Sequence, residues 1–124
     1  GVTERARAAA YEPVVCHTDF LGQNLLVADG RVAAILDWDW AVLGPRERDV
    51  WVAAEGGHGP ELLAAYGARD LDATQLEYAL LARALADLAG RVLEEVDRPG
   101  VDTWGFDRIT RLDDDLTMFR PFCR

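Results

Sequence analysis

A chain of 124 residues, half of them hydrophobic, has enough apolar material for one core and too little length for two ordinary domains. Its formal charge of -9, from 22 acidic against 13 basic side chains, argues against a phosphate-backbone binder, which needs a basic face; a small cation or a metal suits this balance better, and no nucleic-acid partner is expected. No run approaches the roughly 18 apolar residues of a membrane span, and the opening GVTERARAAAYEP lacks the apolar centre of a secretory signal, so the expectation is a cytoplasmic protein with no membrane partner.

Residues 3–10 have helix-forming composition, stopped by Pro13, and read as the tail of a helix. VVC at 14–16 is a short strand, and NLLVADGRVAAILDW at 24–38 is a hairpin turning on Asp29-Gly30, a dipeptide that accepts positive φ. GPRERD at 44–49 turns into a helix with Val50, Trp51, Ala53 and Ala54 as its buried stripe, and GGHG at 56–59 ends it. Pro60 opens a short helix through Tyr66. Residues 72–96 carry Leu76, Ala79, Leu80, Leu85, Leu88, Val92 and Val96 at helical steps, with Asp72 as the N-cap. RPGVD at 98–102 is a loop, and a last helix runs from about Gly105 to Phe119, with Phe106, Ile109, Leu112, Leu116 and Phe119 on one face, before Pro121. The fold class is α+β, mostly helical, with a small β element near the start.

The unusual polar residues all lie on that β element and its loops. Period-two alternation along the strand would put Asp37 and Asp39 on one face, with Trp38 and Trp40 on the other. Two adjacent carboxylates repel unless a cation joins them, and Mg²⁺ takes oxygen ligands of this kind; the alternative is an exposed, solvated strand end. Asp19 sits in the loop CHTDFLGQN, five residues before Asn24. A loop carboxylate can accept an alcohol's proton, and a carboxamide can offer a neutral oxygen to a metal while its amide holds the loop. Singly, each also fits an Asx turn or a strand cap. Cys16 and Cys123, with no metal-ligand spacing, read as reduced thiols without a catalytic part.

HTDFLGQN followed by ILDWD resembles the aminoglycoside phosphotransferase and choline kinase superfamily of protein-kinase-like enzymes, whose catalytic loop has His-x-Asp, an Asn five residues on, and then a metal-binding Asp. GPRERDVW is similar to the Pro-x-Glu-Arg-Asp stretch of the spectinomycin phosphotransferase branch, and FRP at 119–121 is a weaker likeness. The resemblance is strong over residues 12–55 and general over the helical subdomain 56–124. It implies a C-terminal lobe spanning 1–124, with no glycine-rich loop and no ATP-binding lysine strand before His17. An N-terminal ATP-binding lobe is therefore expected to be absent, leaving apolar surface for self-association.

On this resemblance Asp19 would be the base or orienting group for a substrate hydroxyl. Asn24 and Asp37 would ligate the Mg²⁺ that holds the ATP phosphates, with Asp39 as a second-shell or water-mediated ligand. His17 and Asp49 would support the loop, with a helix N-cap as the alternative for Asp49; Trp38 would be core, and Trp40 could line the substrate cleft or simply pack. Arg46 and Arg48 could neutralise phosphate but within RERD read first as partners in local ion pairs.

The implied activity is ATP- and Mg²⁺-dependent phosphorylation of a hydroxyl on a small, cationic substrate such as an aminoglycoside or aminocyclitol, of the kind that confers antibiotic resistance. Glu94, Glu95, Asp97, Asp102 and the run Asp113–Asp115 could attract ammonium groups but read first as a solvated helix face. Two other readings stand beside it: a non-catalytic lobe that binds or oligomerises, and a metal-dependent hydrolase built on His17, Asp19, Asp37 and Asp39, for which two histidines are few.

Overall fold

The computed structural model describes residues 1–97 and 108–124, with the side chains of 91 and 94–97 excepted. The expected loop at 98–102, the start of the last helix, Phe106, and the side chains of Glu94, Glu95, Val96, Asp97 and Asp102 lie outside the described residues. The chain opens with helix α1 (Val2–Ala8), which lies on the long helix α4 (Ala73–Asp97). Gln75 Nε2 donates to the Ala6 carbonyl at 2.6 Å, and Ala6 is buried in that contact.

Two antiparallel ribbons follow. In the first, β2 (Leu25–Ala28) and β3 (Arg31–Ile35) meet at Asp29 and Gly30, whose φ values of 51° and 72° are those a type I′ turn demands. A bulge between Leu26 and Val27 shifts the register, so that Leu25 faces Ile35 while Val27 faces Val32. In the second, β1 (Val14–Cys16) pairs with β4 (Val42–Gly44), Val14 opposite Gly44 and Cys16 opposite Val42. Strand β4 was not expected from the sequence, because three residues before a Gly-Pro turn carry no periodicity.

Helix α2 (Glu47–Val50) runs into a 3-10 turn at Trp51–Ala54 where the sequence predicts one helix. Helix α3 (Gly59–Tyr66) holds Pro60 in its first turn and ends on Gly67 at φ 73°. Asp72 caps α4 as expected, its Oδ1 accepting the Thr74 and Gln75 amides at 2.9 and 3.0 Å. Helix α5 (Leu112–Phe119) closes the chain with a 3-10 turn at Arg120–Phe122, and residue 123 bridges back to Leu71.

The core joins Val50, Trp51, Ala53, Leu63, Leu71, Leu76, Leu80 and Phe119, so that α2 with its 3-10 turn, α3, α4 and α5 meet in one cluster. Leu85, Val92 and Ile109, expected on buried faces, are exposed. On α4 the packed face follows Leu76, Leu80 and Ala84, and Leu85 stands about 100° around the helix from Ala84. Among the described residues no helix is long and apolar enough to cross a membrane.

Candidate functional site

The loop from His17 to Asn24 is held at both ends by the ribbons and from beneath by α2. Asp49 accepts two backbone amides, His17 N–H on Oδ2 and Thr18 N–H on Oδ1, each at 2.7 Å. Thr18 has φ 67°, a conformation that a β-branched residue adopts only when its surroundings impose it. Its hydroxyl donates to the Trp40 carbonyl at 3.0 Å, so both sides of this turn are tied down.

His17 is buried and bridges two segments. Its Nε2 lies 2.7 Å from the Leu36 carbonyl, and Asp19 N–H donates to Nδ1 at 3.3 Å, an arrangement that requires the tautomer with the proton on Nε2. Trp38 packs edge-on against the ring at 4.8 Å. Trp38 itself is 47% exposed, so the expectation that it joins the core is corrected. Its Nε1 donates to the Ile35 carbonyl at the end of β3, which keeps the indole on the ribbon's rim.

Asp19 receives Asn24 Nδ2 on Oδ2 at 3.0 Å, and the same nitrogen reaches the Asp19 carbonyl at 2.9 Å. Asn24 is buried, and with its amide committed to Asp19 its Oδ1 is the end left for a cation. The Leu36 amide donates to the Asn24 carbonyl at 2.8 Å, which sets Asp37 one residue beyond that bond. Strand alternation does not reach Asp37 and Asp39: β3 ends at Ile35, Asp37 adopts φ 61°, and both carboxylates sit exposed in the loop to β4. The shared strand face expected from the sequence is thereby corrected to a loop. Among the described residues no three His, Cys, Asp or Glu side chains converge as a metal cluster.

Beside Asp19 opens a cavity of about 410 Å³, walled by Thr18, Trp40, Arg48, Trp51, Tyr78 and Arg83, among others. Arg83 Nη1 lies 2.7 Å from Asp19 Oδ1. Burial opposes the Arg83 charge, but its hydrogen bond to Asp19 and the nearby Asp87 outweigh that and raise its pKa above the ordinary value. Sequence reasoning missed Arg83 and Tyr78 altogether. One signal was available: Arg83 is the only charged residue in YALLARALA, a stretch otherwise suited to a core. The expected local ion pairs also divide. Arg46 lies 3.8 Å from Glu47 and donates to the carbonyls of Arg69 and Asp70, whereas Arg48 borders the cavity.

The model of a phosphotransferase enzyme family matches residues 2–83, more than half of the chain and all of the loop and ribbon residues described above. The chain belongs to that phosphotransferase family. A crystal structure of the spectinomycin phosphotransferase APH(9)-Ia in complex with ADP and spectinomycin has a similar fold, with a TM-score of 0.61 at 23% identity. The match covers 97% of this chain and 38% of that one, so the chain spans well under half the length of this phosphotransferase. The mixed helix-and-ribbon architecture is thus that of part of a kinase-like fold.

Proposed function

We propose that this chain is the C-terminal lobe of a phosphotransferase that uses ATP and Mg²⁺ to phosphorylate a hydroxyl of a small, cationic substrate. Spectinomycin or a related aminocyclitol is the first candidate, with Asp19, Asn24 and Asp37 as the working residues. The observation that carries the proposal is the Asn24 carboxamide bridging the main chain and side chain of Asp19 on a loop clamped by Asp49. That arrangement presents one carboxylate to the cavity for an acceptor hydroxyl and leaves the amide oxygen of Asn24 out of the bonds to Asp19.

Asp19 accepts or orients the hydroxyl proton, since it is the carboxylate on the cavity wall. Asn24 and Asp37, with Asp39 further out, are the oxygen donors that fit Mg²⁺, which is commonly held by one or two protein ligands while substrate phosphates complete the shell. Bound there, Mg²⁺ supplies charge neutralisation for the phosphates. His17 and Asp49 hold the loop in shape. Attraction for an ammonium group rests on Trp40 and Tyr78 and on the net charge of -9, because Arg48 and Arg83 share the wall with Asp19.

Titration calorimetry of the chain with Mg²⁺ and ATP, then with spectinomycin, beside Asp37→Ala, tests this reading. Metal-dependent nucleotide binding that disappears in the variant supports it. Nucleotide binding that persists unchanged without Asp37 refutes the metal assignment.

A further inference from the structure

Arg83 does more than border the cavity. Its guanidinium is shared: Nη1 meets Asp19 Oδ1 at 2.7 Å, and Nε lies 2.9 Å from Asp87 Oδ1 one turn along α4. Asp87 is held in turn, its Oδ2 standing 2.8 Å from Nε of Arg108, and Arg108 also pairs with Glu55. The Asp87 and Arg108 side chains are only 10% and 5% exposed, so the outer part of this chain of charges is shielded from water and from salt. Both guanidinium groups stand over the Trp51 indole, at 4.9 and 5.3 Å from its centroid. Trp51 is itself a buried member of the core.

We propose that Arg83 is a positioning residue that sets the orientation of the Asp19 carboxylate towards the acceptor, and that Asp87, Arg108 and Glu55 act through it. The inference rests on the phosphotransferase reading for its catalytic consequence, but its geometric part stands alone. A carboxylate at the end of a loop can rotate about χ2, and each orientation presents different lone pairs to the cavity. Here Asn24 fixes Oδ2 and Arg83 fixes Oδ1, so one rotamer is selected from two sides. A flat fork stacked on an aromatic ring and tied to a second carboxylate is a stiff support, and lysine, a point charge on a flexible stem, is a poor replacement. The arrangement also extends the site to α5's neighbourhood, some 90 residues from the catalytic loop in sequence, so substitutions at Glu55 or Arg108 act on Asp19 without touching substrate.

The test compares the unaltered chain with Arg83→Met, Arg83→Lys and Asp87→Asn by two measurements. Nitrogen-15 NMR follows the Asn24 side-chain amide and the His17 and Thr18 backbone amides. Steady-state kinetics with ATP, Mg²⁺ and spectinomycin give kcat and the acceptor KM. In Arg83→Met the Asn24 amide resonances should move while those of His17 and Thr18, bonded to Asp49, stay in place. The kcat should fall roughly 10- to 100-fold with the acceptor KM within about twofold, the mark of lost orientation and not of lost binding. Arg83→Lys should recover only a small part. Asp87→Asn should reproduce most of the loss, and adding it to Arg83→Met should change little further. Wild-type Asn24 resonances in Arg83→Met, or additive losses in the double variant, would overturn the proposal. If the unaltered chain transfers no phosphoryl group, the activity reading fails for the isolated chain, and the NMR comparison still decides whether Arg83 positions Asp19.

Discussion

Asp49 and Thr18, 31 positions apart, are joined by a 2.7 Å hydrogen bond from the Thr18 amide to Oδ1, and that bond holds a threonine at φ 67°. The partner oxygen takes the His17 amide, so a single carboxylate on α2 keeps the turn before Asp19 in its strained form. Asp49→Ala leaves two amides without their acceptor and removes what imposes the strain. It should destabilise the fold by roughly 2–4 kcal/mol. Urea denaturation measures the loss, and hydrogen exchange at His17 and Thr18 should accelerate well before global unfolding.

Gly59 offers a sharper steric test. A Cβ there would stand 2.4 Å from the Ala53 carbonyl oxygen and 2.7 Å from Met118 Sδ, so Gly59→Ala must displace backbone and should cost about 1–3 kcal/mol. Gly90, inside α4 with open space around it, should show the reverse. Gly90→Ala should stabilise by about 0.5–1 kcal/mol. Thermal melts of the two variants should move in opposite directions.

Much of the fold was legible because particular residues permit few conformations. Asp29-Gly30 announced the hairpin, Pro60 and Asp72 announced helix starts, and the loop order from His17 to Asn24 announced the family. What was not legible depends on distant partners. Strand β4 exists only because β1 is there to pair with it, and the excursion of Asp37 to positive φ breaks the alternation its neighbours suggest. Trp38 stays at the rim because Ile35 and His17 hold it there, not because an aromatic side chain avoids the core. The link from Asp19 to Arg83 spans 64 positions, and periodicity within one segment carries no trace of it.

Burial pushes the Asp115 carboxyl above its ordinary 3.8, with Glu55 and Asp114 adding to the rise against the pull of Arg111 and Arg108. A folded pKa above the unfolded one means that the proton favours the folded chain. The resulting stability is fully present below about pH 4 and is lost as pH climbs through the raised value. Asp115→Asn should therefore raise the Tm slightly at neutral pH, with Asp113 and Asp114 still serving the start of α5, and the difference should vanish in acid. Melting curves of both proteins across that range check the sign.

The two cysteines should react slowly or not at all in the native state. Cys16 is fully buried, donates to the Pro45 carbonyl at 3.3 Å, and has its thiol pushed up to about 11 by burial and then by Asp49. Burial raises Cys123 as well. Thiolate is the reactive form, so a disulfide reagent at mildly alkaline pH should leave Cys16 unmodified and reach Cys123 slowly. Adding denaturant should expose both at once.

Both ribbons carry apolar side chains outward, Val27 at 65% and Leu43 at 71% exposure among them. Sedimentation of the chain at rising concentration should reveal self-association, and Val27→Lys with Leu43→Glu should suppress it. A concentration-independent monomer would count against the expectation.

The two ribbons also differ in how they come into being. β2 and β3 meet across a two-residue turn already shaped for them, and a hairpin of that kind closes in about 1–10 μs. β1 must instead find β4 across some 30 residues, the distance from Val14 to Gly44, and pairings at that separation form more slowly because a long loop has to close first. Asp19 lies between the fast ribbon and the slow one. The loop that carries Asp19 should therefore acquire its setting late in folding, when β4 arrives and brings Asp49 behind it, after the hairpin turn has closed.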